Sequence, residues 1–440
     1  MTALHEFATW ENVLTLLRGE PAVSGWLSST GWGLFLGDPK AVAPVQRALA
    51  EAGVREVMFA ADFAPDGRTA LHLFEVGPAV EPAFGYPGPN PGTLVLVDGV
   101  AAGLWRRLPR AVPGVVSAPS ADPALLERTL RERLPDAVGA TEEQIAAVEE
   151  RLGVALSEEL KVLFRVTRVG PPGPDGSGDW EADYAEVEDA ESAVGCELFG
   201  LDGLFAATAA TRLGSRRSAE TEAVVTSDDA AVLDLVGSPG WIAFGSNGGD
   251  TFAVDMTPGP GGHLGQVILI SHEESIGADL YGESLTELVL NGFERGGRAD
   301  GGVEWGPPVT ARVGDGPGGM ADLESAAHPD LEVVRISRGG NTPPISLAPI
   351  AGLPRLRTLI AHPGTLADPL EIAGMSGLEY LGIGLDEWRI LLDAGAVPRG
   401  LLAANVEVRG DEHPVEVVAT ANELLALWGR PLIAHTVVRG

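Results

Sequence analysis

Lysine, cysteine and long apolar runs are scarce in this chain. Only two of its 440 residues are lysine, Lys40 and Lys161, and Cys196 is its one cysteine. A single cysteine excludes an internal disulfide and is typical of proteins in a reducing compartment. No apolar run approaches the roughly 18 residues that a membrane-spanning helix requires, and acids at Glu6 and Glu11 argue against a signal peptide. We therefore expect a cytoplasmic protein.

The sequence also lacks the motifs of common enzyme classes. It contains no G-x-S-x-G elbow, no GxxxxGK[ST] phosphate loop, no GxGxxG after a strand and no HExxH zinc motif. His263 and His272 have no third ligand at a metal-site spacing, and a lone thiol such as Cys196 is usually an inert buried side chain. We predict no catalytic residue, no cofactor and no metal, although an enzyme site within residues 1–135 is an open alternative.

The net charge of −32 is concentrated in the middle of the chain. Residues 136–296 contain 30 acidic and 8 basic residues, whereas residues 1–135 contain 14 and 11, and residues 297–440 contain 18 and 11. A strongly negative field repels nucleic acid and anionic membranes and attracts basic proteins. The alternative is that the acids only maintain solubility. We expect a protein partner, no nucleic acid and no membrane.

The clearest structural pattern covers residues 241–270. Residues 241–244 (WIAF) and 251–255 (TFAVD) predict two strands joined by the glycine-rich turn 245–250 (GSNGGD). Residues 266–270 (QVILI) are apolar enough for an inner strand of the same antiparallel sheet. The stretch therefore predicts a three-stranded meander.

This pattern resembles the core of the SUKH superfamily, the SMI/KNR-type domain of cell-wall regulators and bacterial immunity proteins. Residues 141–149 (TEEQIAAVE) and 156–164 look like its opening helices, and residues 284–289 (SLTELV) resemble its closing helix. The first helix begins with a capping box of the S/T-x-x-E/Q type. The resemblance covers about residues 136–296. One departure is residues 165–173 (RVTRVGPPG), which lack the family's asparagine-glycine turn.

The regions on either side predict two further domains. Residues 1–135 predict an α/β unit of unknown family, closed by a helix near residues 125–134, and residues 297–319 form a glycine- and proline-rich linker. Residues 320–440 resemble a short leucine-rich-repeat-like α/β module. Its L-x-x-L-x-L-like pattern recurs at 25-, 22- and 23-residue intervals, starting at Leu331, Leu356, Leu378 and Leu401.

The predicted fold class is thus α+β multidomain, with an N-terminal α/β unit, a central SUKH-like antiparallel sheet with flanking helices and a C-terminal leucine-rich-repeat-like module. Candidate partner-binding residues come from the acidic run 179–191, the glycine-rich turn and the outward positions of the repeat strands. They are Asp179, Glu181, Asp183, Asn247, Asp250, Arg335, Arg357 and Tyr380.

Structural alternatives accompany these candidates. The acidic run could be a solvated face, and its alternating acids lack the full EF-hand pattern for calcium. Asp250 either contacts a cationic partner or supports the glycine turn by accepting backbone N–H bonds, and for Asp255 we favour a structural role.

The resemblance implies a non-enzymatic protein-binding function. Bacterial members of the superfamily commonly act as immunity proteins that neutralise a toxin domain by occluding it, and a basic toxin would suit the acidic middle domain. The alternative is a regulatory scaffold of the cell-wall-regulator type that binds an endogenous partner.

Overall fold

The computed structural model divides the chain into two compact units. The first draws on residues 1–102 and 307–440, and the second on residues 103–214 and 224–306. The structure describes residues 3–18, 22–29, 39–82, 93–167, 180–212, 223, 227–274, 276–293, 309–314, 322–337, 343–408 and 412–440.

The described chain contains runs of strands, a run of four helices and, toward its C-terminal end, single helices between strands. The α-helices are α1 Phe7–Leu17, α2 Pro39–Ala52, α3 Pro123–Arg133, α4 Glu142–Leu152, α5 Glu158–Val166, α6 Trp180–Val194, α7 Leu285–Asn291, α8 Leu323–Ala326, α9 Leu385–Asp393 and α10 Pro414–Leu427. The strands are β1 Ala22–Ser28, β2 Glu56–Phe63, β3 Thr69–Glu75, β4 Val80–Pro82, β5 Leu94–Val97, β6 Glu197–Leu198, β7 Phe205–Ala206, β8 Trp241–Ser246, β9 Thr251–Asp255, β10 Gln266–Ile270, β11 Asp279–Gly282, β12 Thr310–Val313, β13 Val333–Ile336, β14 Thr358–Ala361, β15 Tyr380–Gly384, β16 Ala403–Glu407 and β17 Ala434–Arg439. None of the described helices combines the length and the apolarity needed to cross a bilayer.

The second unit is built on an antiparallel sheet with strand order β11-β10-β9-β8-β6, and β7 also pairs with β8. The meander predicted over residues 241–270 is confirmed, because β8 pairs with β9 and β9 with β10. Gly245 lies where β8 passes close to β6, and a Cβ there would overlap the carbonyl oxygen of Glu197. Gly248 in the turn has a φ of +91°, a conformation that glycine adopts without steric cost.

Helices from both sides of the predicted domain boundary share one core. Leu126 and Leu130 of α3 are buried in the same cluster as Leu160 and Leu163 of α5. The predicted capping box of α4 is confirmed, since Thr141 and Gln144 exchange both of its hydrogen bonds. The helix expected to close the N-terminal unit therefore belongs to the second unit, because its apolar face completes this core.

Polar contacts hold α3 in place. Arg133 at the end of α3 donates to the carbonyl oxygens of Ala193, at 2.6 Å, and Val289, at 2.9 Å. These carbonyls lie in the last turns of α6 and α7, where backbone oxygens lack partners within the helix. At the other end of α3, the buried Glu159 carboxylate and the Asp122 carbonyl both accept hydrogen bonds from Thr286.

The first unit contains two sheets. The four-stranded sheet has the order β1-β2-β3-β17, and its strands are antiparallel. One of its faces packs on α1 and α2 through a buried cluster that includes Trp10, Val45, Phe59 and Leu73. The seven-stranded sheet has the order β12-β13-β14-β15-β16-β5-β4. Strands β12 to β16 run parallel to one another, β5 pairs with β16 in the antiparallel direction, and β4 pairs with β5 in the antiparallel direction.

The N-terminal and C-terminal regions form one unit, which differs from the predicted separate domains 1–135 and 320–440. Strand β17 pairs with β3, and β16 pairs with β5, so both regions contribute to each sheet. Unpaired strand edges expose backbone donors and acceptors, and these pairings satisfy them. The predicted linker 297–319 is also only partly a linker, because residues 310–313 form the edge strand β12. The rest of that segment lies largely outside the described residues.

Removing α3 should destabilise the second unit. A fragment of residues 103–306 should unfold cooperatively. A fragment of residues 136–296 should be less stable by about 4 kcal/mol or more, because it lacks the buried Leu126 and Leu130 of α3, among others, and the loss of each costs about 2–5 kcal/mol. Urea denaturation followed by circular dichroism measures the difference. Equal stability of the two fragments would show that α3 is not part of the core.

Candidate partner-binding site

Acidic side chains collect at one end of the sheet in the second unit. Strand β8 ends and β9 begins there, since Ser246 lies opposite Thr251, and Thr251 lies opposite Ile270 at the end of β10. Strands β6 and β11 also start at this end of the sheet. The carboxylates on these strand ends and on the loop after β10 form what we call the acidic end: Glu197, Asp250, Glu273, Glu274 and Asp279.

Asn247 organises the glycine-rich turn. Its Oδ1 accepts hydrogen bonds from the backbone N–H groups of Gly249, at 3.1 Å, and Asp250, at 2.7 Å. Its Nδ2 donates to Oδ2 of Asp250 at 3.3 Å. Of the two roles left open for Asp250, the structural one takes a different form, because Asp250 accepts from the Asn247 side chain and from the backbone N–H of His272 rather than from backbone N–H groups within the turn. Asn247 supports the turn instead, because its side-chain amide oxygen reaches the backbone N–H groups two and three residues further along the chain.

Asp250 instead connects the turn to the loop after β10. Its Oδ1 accepts from the backbone N–H of His272 at 3.0 Å and lies 2.8 Å from Nδ1 of the same histidine. Partial burial works to raise the pKa of Asp250, but hydrogen bonds from His272 and Asn247 outweigh it and hold the pKa below its usual value. The carboxylate therefore stays ionised and fixes two loops of the acidic end together.

Arg212 holds the same loop from its other side. Its guanidinium donates to the carbonyl oxygens of Ser271, at 3.0 Å, and Val236, at 2.8 Å. Glu273 and Glu274 of this loop are exposed, and in the part of the chain that the structure describes, neither forms an ion pair with a lysine or an arginine. The loop thus presents two carboxylates on a backbone that is fixed by hydrogen bonds.

Two groups near this sheet are buried and do not reach a partner. Asp255 is fully buried, and its Oδ1 accepts from the backbone N–H of Thr257 at 2.7 Å, while Oδ2 accepts from Nε2 of Gln266 at 3.1 Å. These bonds agree with the structural role favoured for Asp255, and burial raises its pKa to about 6. Burial, together with the charges of Glu191 and Glu197, raises the pKa of the Cys196 thiol to about 12, so the reactive thiolate is absent at neutral pH.

The structure places the other predicted residues apart from the acidic end. Asp179 lies outside the described residues, and Glu181 and Asp183 lie in α6 at positions whose side chains are not described. Arg335 in β13 is half-buried, whereas Arg357 and Tyr380 are buried, with 8% and 0% of their surfaces exposed. The expectation that these last two face outward to a partner is therefore wrong.

Arg357 and Tyr380 are buried for two reasons. Arg357 forms an ion pair inside the protein, and the face of the seven-stranded sheet that carries Tyr380 is covered. Arg357 Nε donates to Oε2 of Glu332 at 3.1 Å, and Glu332 is itself only 2% exposed. Tyr380 belongs to a buried cluster that also contains Phe74 of the four-stranded sheet. Parallel sheets are usually covered on both faces, and positions that alternate with the leucines, such as Arg357 and Tyr380, are therefore buried as well.

Sequence reasoning missed most of the acidic end. Glu197, Glu273, Glu274 and Asp279 each lie in or next to a strand end, and His272, which was expected to be a solvated histidine, contacts Asp250. For Glu273 and Glu274 the signal was their position after the predicted strand 266–270, because the ends of neighbouring antiparallel strands meet at the same end of a sheet. Glu197 and Asp279 lie in strands that the sequence analysis did not predict.

The comparison with protein families agrees with this architecture. Residues 139–291 match the model of the SMI1 / KNR4 family (SUKH-1), which supports the SUKH superfamily for this part of the chain. The match spans α4 to α7 and the whole meander. No curated protein matches the sequence. The family is consistent with an immunity or a regulatory protein-binding role.

Asp250→Asn should destabilise the protein in a pH-dependent way. The pKa of Asp250 is lower in the folded than in the unfolded state, so its charge contributes stability above the unfolded pKa, and that contribution is lost as the pH falls through the folded pKa. At pH 7 the variant should lose about 1.5–3 kcal/mol, the usual contribution of a hydrogen bond to a charged group. Urea denaturation should show the difference shrinking below about pH 4.

Glu273→Gln is the matched control, because it removes the same charge from an exposed neighbouring side chain. It should change the free energy of unfolding by less than about 0.5 kcal/mol. If both variants behaved alike, the contact between Asp250 and His272 would have no role in stability.

Proposed function

We propose that this chain is a non-enzymatic binding protein whose acidic end contacts a basic partner, and that it acts as a bacterial immunity protein that neutralises a toxin domain by occlusion. The observation that carries the proposal is the convergence of Glu197, Asp250, Glu273, Glu274 and Asp279 at one end of the SUKH sheet. These carboxylates lie on strands or on loops that hydrogen bonds hold in place, so their positions are fixed before a partner binds.

Electrostatics favours a basic partner. The excess of acids over bases in residues 136–296 produces a negative field, which speeds the association of a positively charged protein. Toxin domains that degrade nucleic acids are commonly basic, and a covering acidic surface would block their substrate. The fixed backbone limits the conformational entropy that binding must remove.

The C-terminal strands suit a supporting role. We assign residues 320–410 to a leucine-rich-repeat-like module, since each copy of the sequence repeat forms one strand and the four strands β13 to β16 pair in parallel order. The burial of Arg357 and Tyr380 argues against the face of this sheet as the partner surface. The partner is therefore expected on the second unit.

Co-expression tests the immunity role. A gene for a large secreted protein should lie next to the gene for this chain, and its C-terminal domain should inhibit bacterial growth when produced alone. Co-expression of the full chain should restore growth. Growth that is not restored, together with no binding of the purified proteins, would contradict the immunity role, and a partner encoded elsewhere in the genome would instead favour the regulatory scaffold.

Charge-neutralising variants test the acidic end. Glu273→Gln with Glu274→Gln should weaken binding of the basic domain about 10-fold or more, because rim and contact charges each contribute on the order of 1 kcal/mol. The association rate should also fall as salt rises from about 0.05 to 0.5 M, where the Debye length shortens. Surface plasmon resonance measures both quantities.

A second double variant separates contact from net charge. Glu143→Gln with Glu150→Gln removes two charges from exposed positions of α4, so it changes the net charge equally and leaves the acidic end intact. It should reduce the association rate slightly and leave the dissociation rate unchanged. Equal effects of the two double variants would refute the acidic end as the contact surface.

A further inference from the structure

Three ionisable side chains that are distant in sequence converge in the first unit. Asp62 lies near the end of β2, His72 in β3, and His413 directly before α10. Asp62 Oδ2 is 3.2 Å from Nε2 of His72, and Asp62 Oδ1 is 3.1 Å from Nε2 of His413. The three ligand atoms lie within 4.8 Å of one another. We propose that this cluster binds a divalent transition-metal ion of the Zn²⁺ type.

The sheet register explains why these groups meet. Ala60 lies opposite His72, so Asp62, two residues further along β2, faces the same side of the sheet. Val437 also lies opposite His72, which puts His435, two residues away in β17, on that side as well. Side chains separated by two residues share a face, and diagonal neighbours on adjacent strands are within reach of long side chains.

The distances suit a tetrahedral ion. Bonds of about 2.0–2.2 Å from zinc to imidazole nitrogen and carboxylate oxygen put adjacent donor atoms roughly 3.3 Å apart. The separations of 3.2 Å from His72 and 3.1 Å from His413 are close to this length, but they involve different oxygens of Asp62, Oδ2 and Oδ1 respectively. One carboxylate oxygen and the two ring nitrogens lie within 4.8 Å of one another, so rotation of the carboxylate and of the imidazole rings must close the remaining distances around a shared cation.

His435 supplies the outer partner that metal-bound histidines usually have. Its Nε2 lies 2.9 Å from Nδ1 of His72. Ligation through Nε2 of His72 leaves the proton on Nδ1, which can then donate to His435. The ring of His435 stacks on Phe74 with a centroid distance of 4.9 Å. His435 is therefore a positioning residue for His72.

His413 has a second contact with which a metal would compete. Its Nδ1 accepts a hydrogen bond from the backbone N–H of Val415 at 3.2 Å, so the side chain caps α10. Ligation through Nε2 requires a proton on Nδ1, and the capping bond is then lost. His413 therefore cannot cap α10 and bind a metal at the same time. A substitution that keeps the cap but removes the ligand distinguishes the two roles.

The cluster is open to solvent. The side chains of Asp62, His72 and His413 are 43%, 15% and 33% exposed. A surface cleft of about 540 Å³ adjoins the carboxylate and is lined by Asp62, Arg68 and Arg439, among others. Three protein ligands with an accessible fourth position are the arrangement in which zinc binds water or an exogenous ligand.

Metal titration of the full chain tests the site. After treatment with a chelator, the protein should bind one Zn²⁺ per chain in isothermal titration calorimetry, and Co²⁺ should give the intense visible spectrum of a tetrahedral complex. His435→Ala should lower the affinity roughly 10- to 100-fold. Asp62→Asn and His72→Gln should lower it further, since each removes a ligand.

A capping variant distinguishes the metal from folding effects. His413→Ser removes the ligand but retains a good helix N-cap. Its metal-free form should melt no lower than the wild type, and Zn²⁺ should raise the melting temperature of the wild type only. His263→Gln, in the second unit, should bind as the wild type does. The proposal would be overturned if the wild type did not bind Zn²⁺. It would also be overturned if the Asp62→Asn variant and the His413→Ser variant each bound Zn²⁺ as tightly as the wild type.

Discussion

The backbone ladder between β8, β9 and β10 is the constraint on which the second unit depends. It aligns the strand ends, so that Glu197, Asp250 and the loop after β10 are adjacent although they are far apart in sequence. The ladder needs glycine at position 245, where β6 passes too close for any side chain. Asn247 and Asp250 then fix the turn and the neighbouring loop, and the acidic end follows from this geometry.

In the first unit, strand pairing between the two ends of the described chain has the corresponding role. Strand β17 covers the edge of β3, and β5 covers the edge of β16. These pairings satisfy backbone groups that either region would otherwise expose to water. They also bring His435 and His413 to the face that carries His72 and Asp62. The sequence did not point to the proposed metal ligands, because Asp62 and His413 are 351 residues apart.

The hydrophobic periodicity of the sequence predicted strands and helix starts correctly, but it did not predict which side chains of the repeat strands are exposed. The meander, the capping box at Thr141 and a strand at each copy of the C-terminal repeat were all predicted, since each depends on local backbone preferences. Arg357 and Tyr380 were expected to face outward, because they lie between the leucine positions of the repeat strands, which were expected to pack inward. Both are buried, since the second face of their sheet is covered and Glu332 compensates the arginine charge.

The sequence by itself determined the central meander, the resemblance of residues 136–296 to SUKH domains and the concentration of negative charge in them. These depend on neighbours within a few tens of residues. Only the tertiary structure decided that α3 belongs to the second unit, that the two ends of the described chain share sheets, and which carboxylates and histidines meet. Such contacts arise from strand register and core packing over hundreds of residues, and a local pattern carries no record of them.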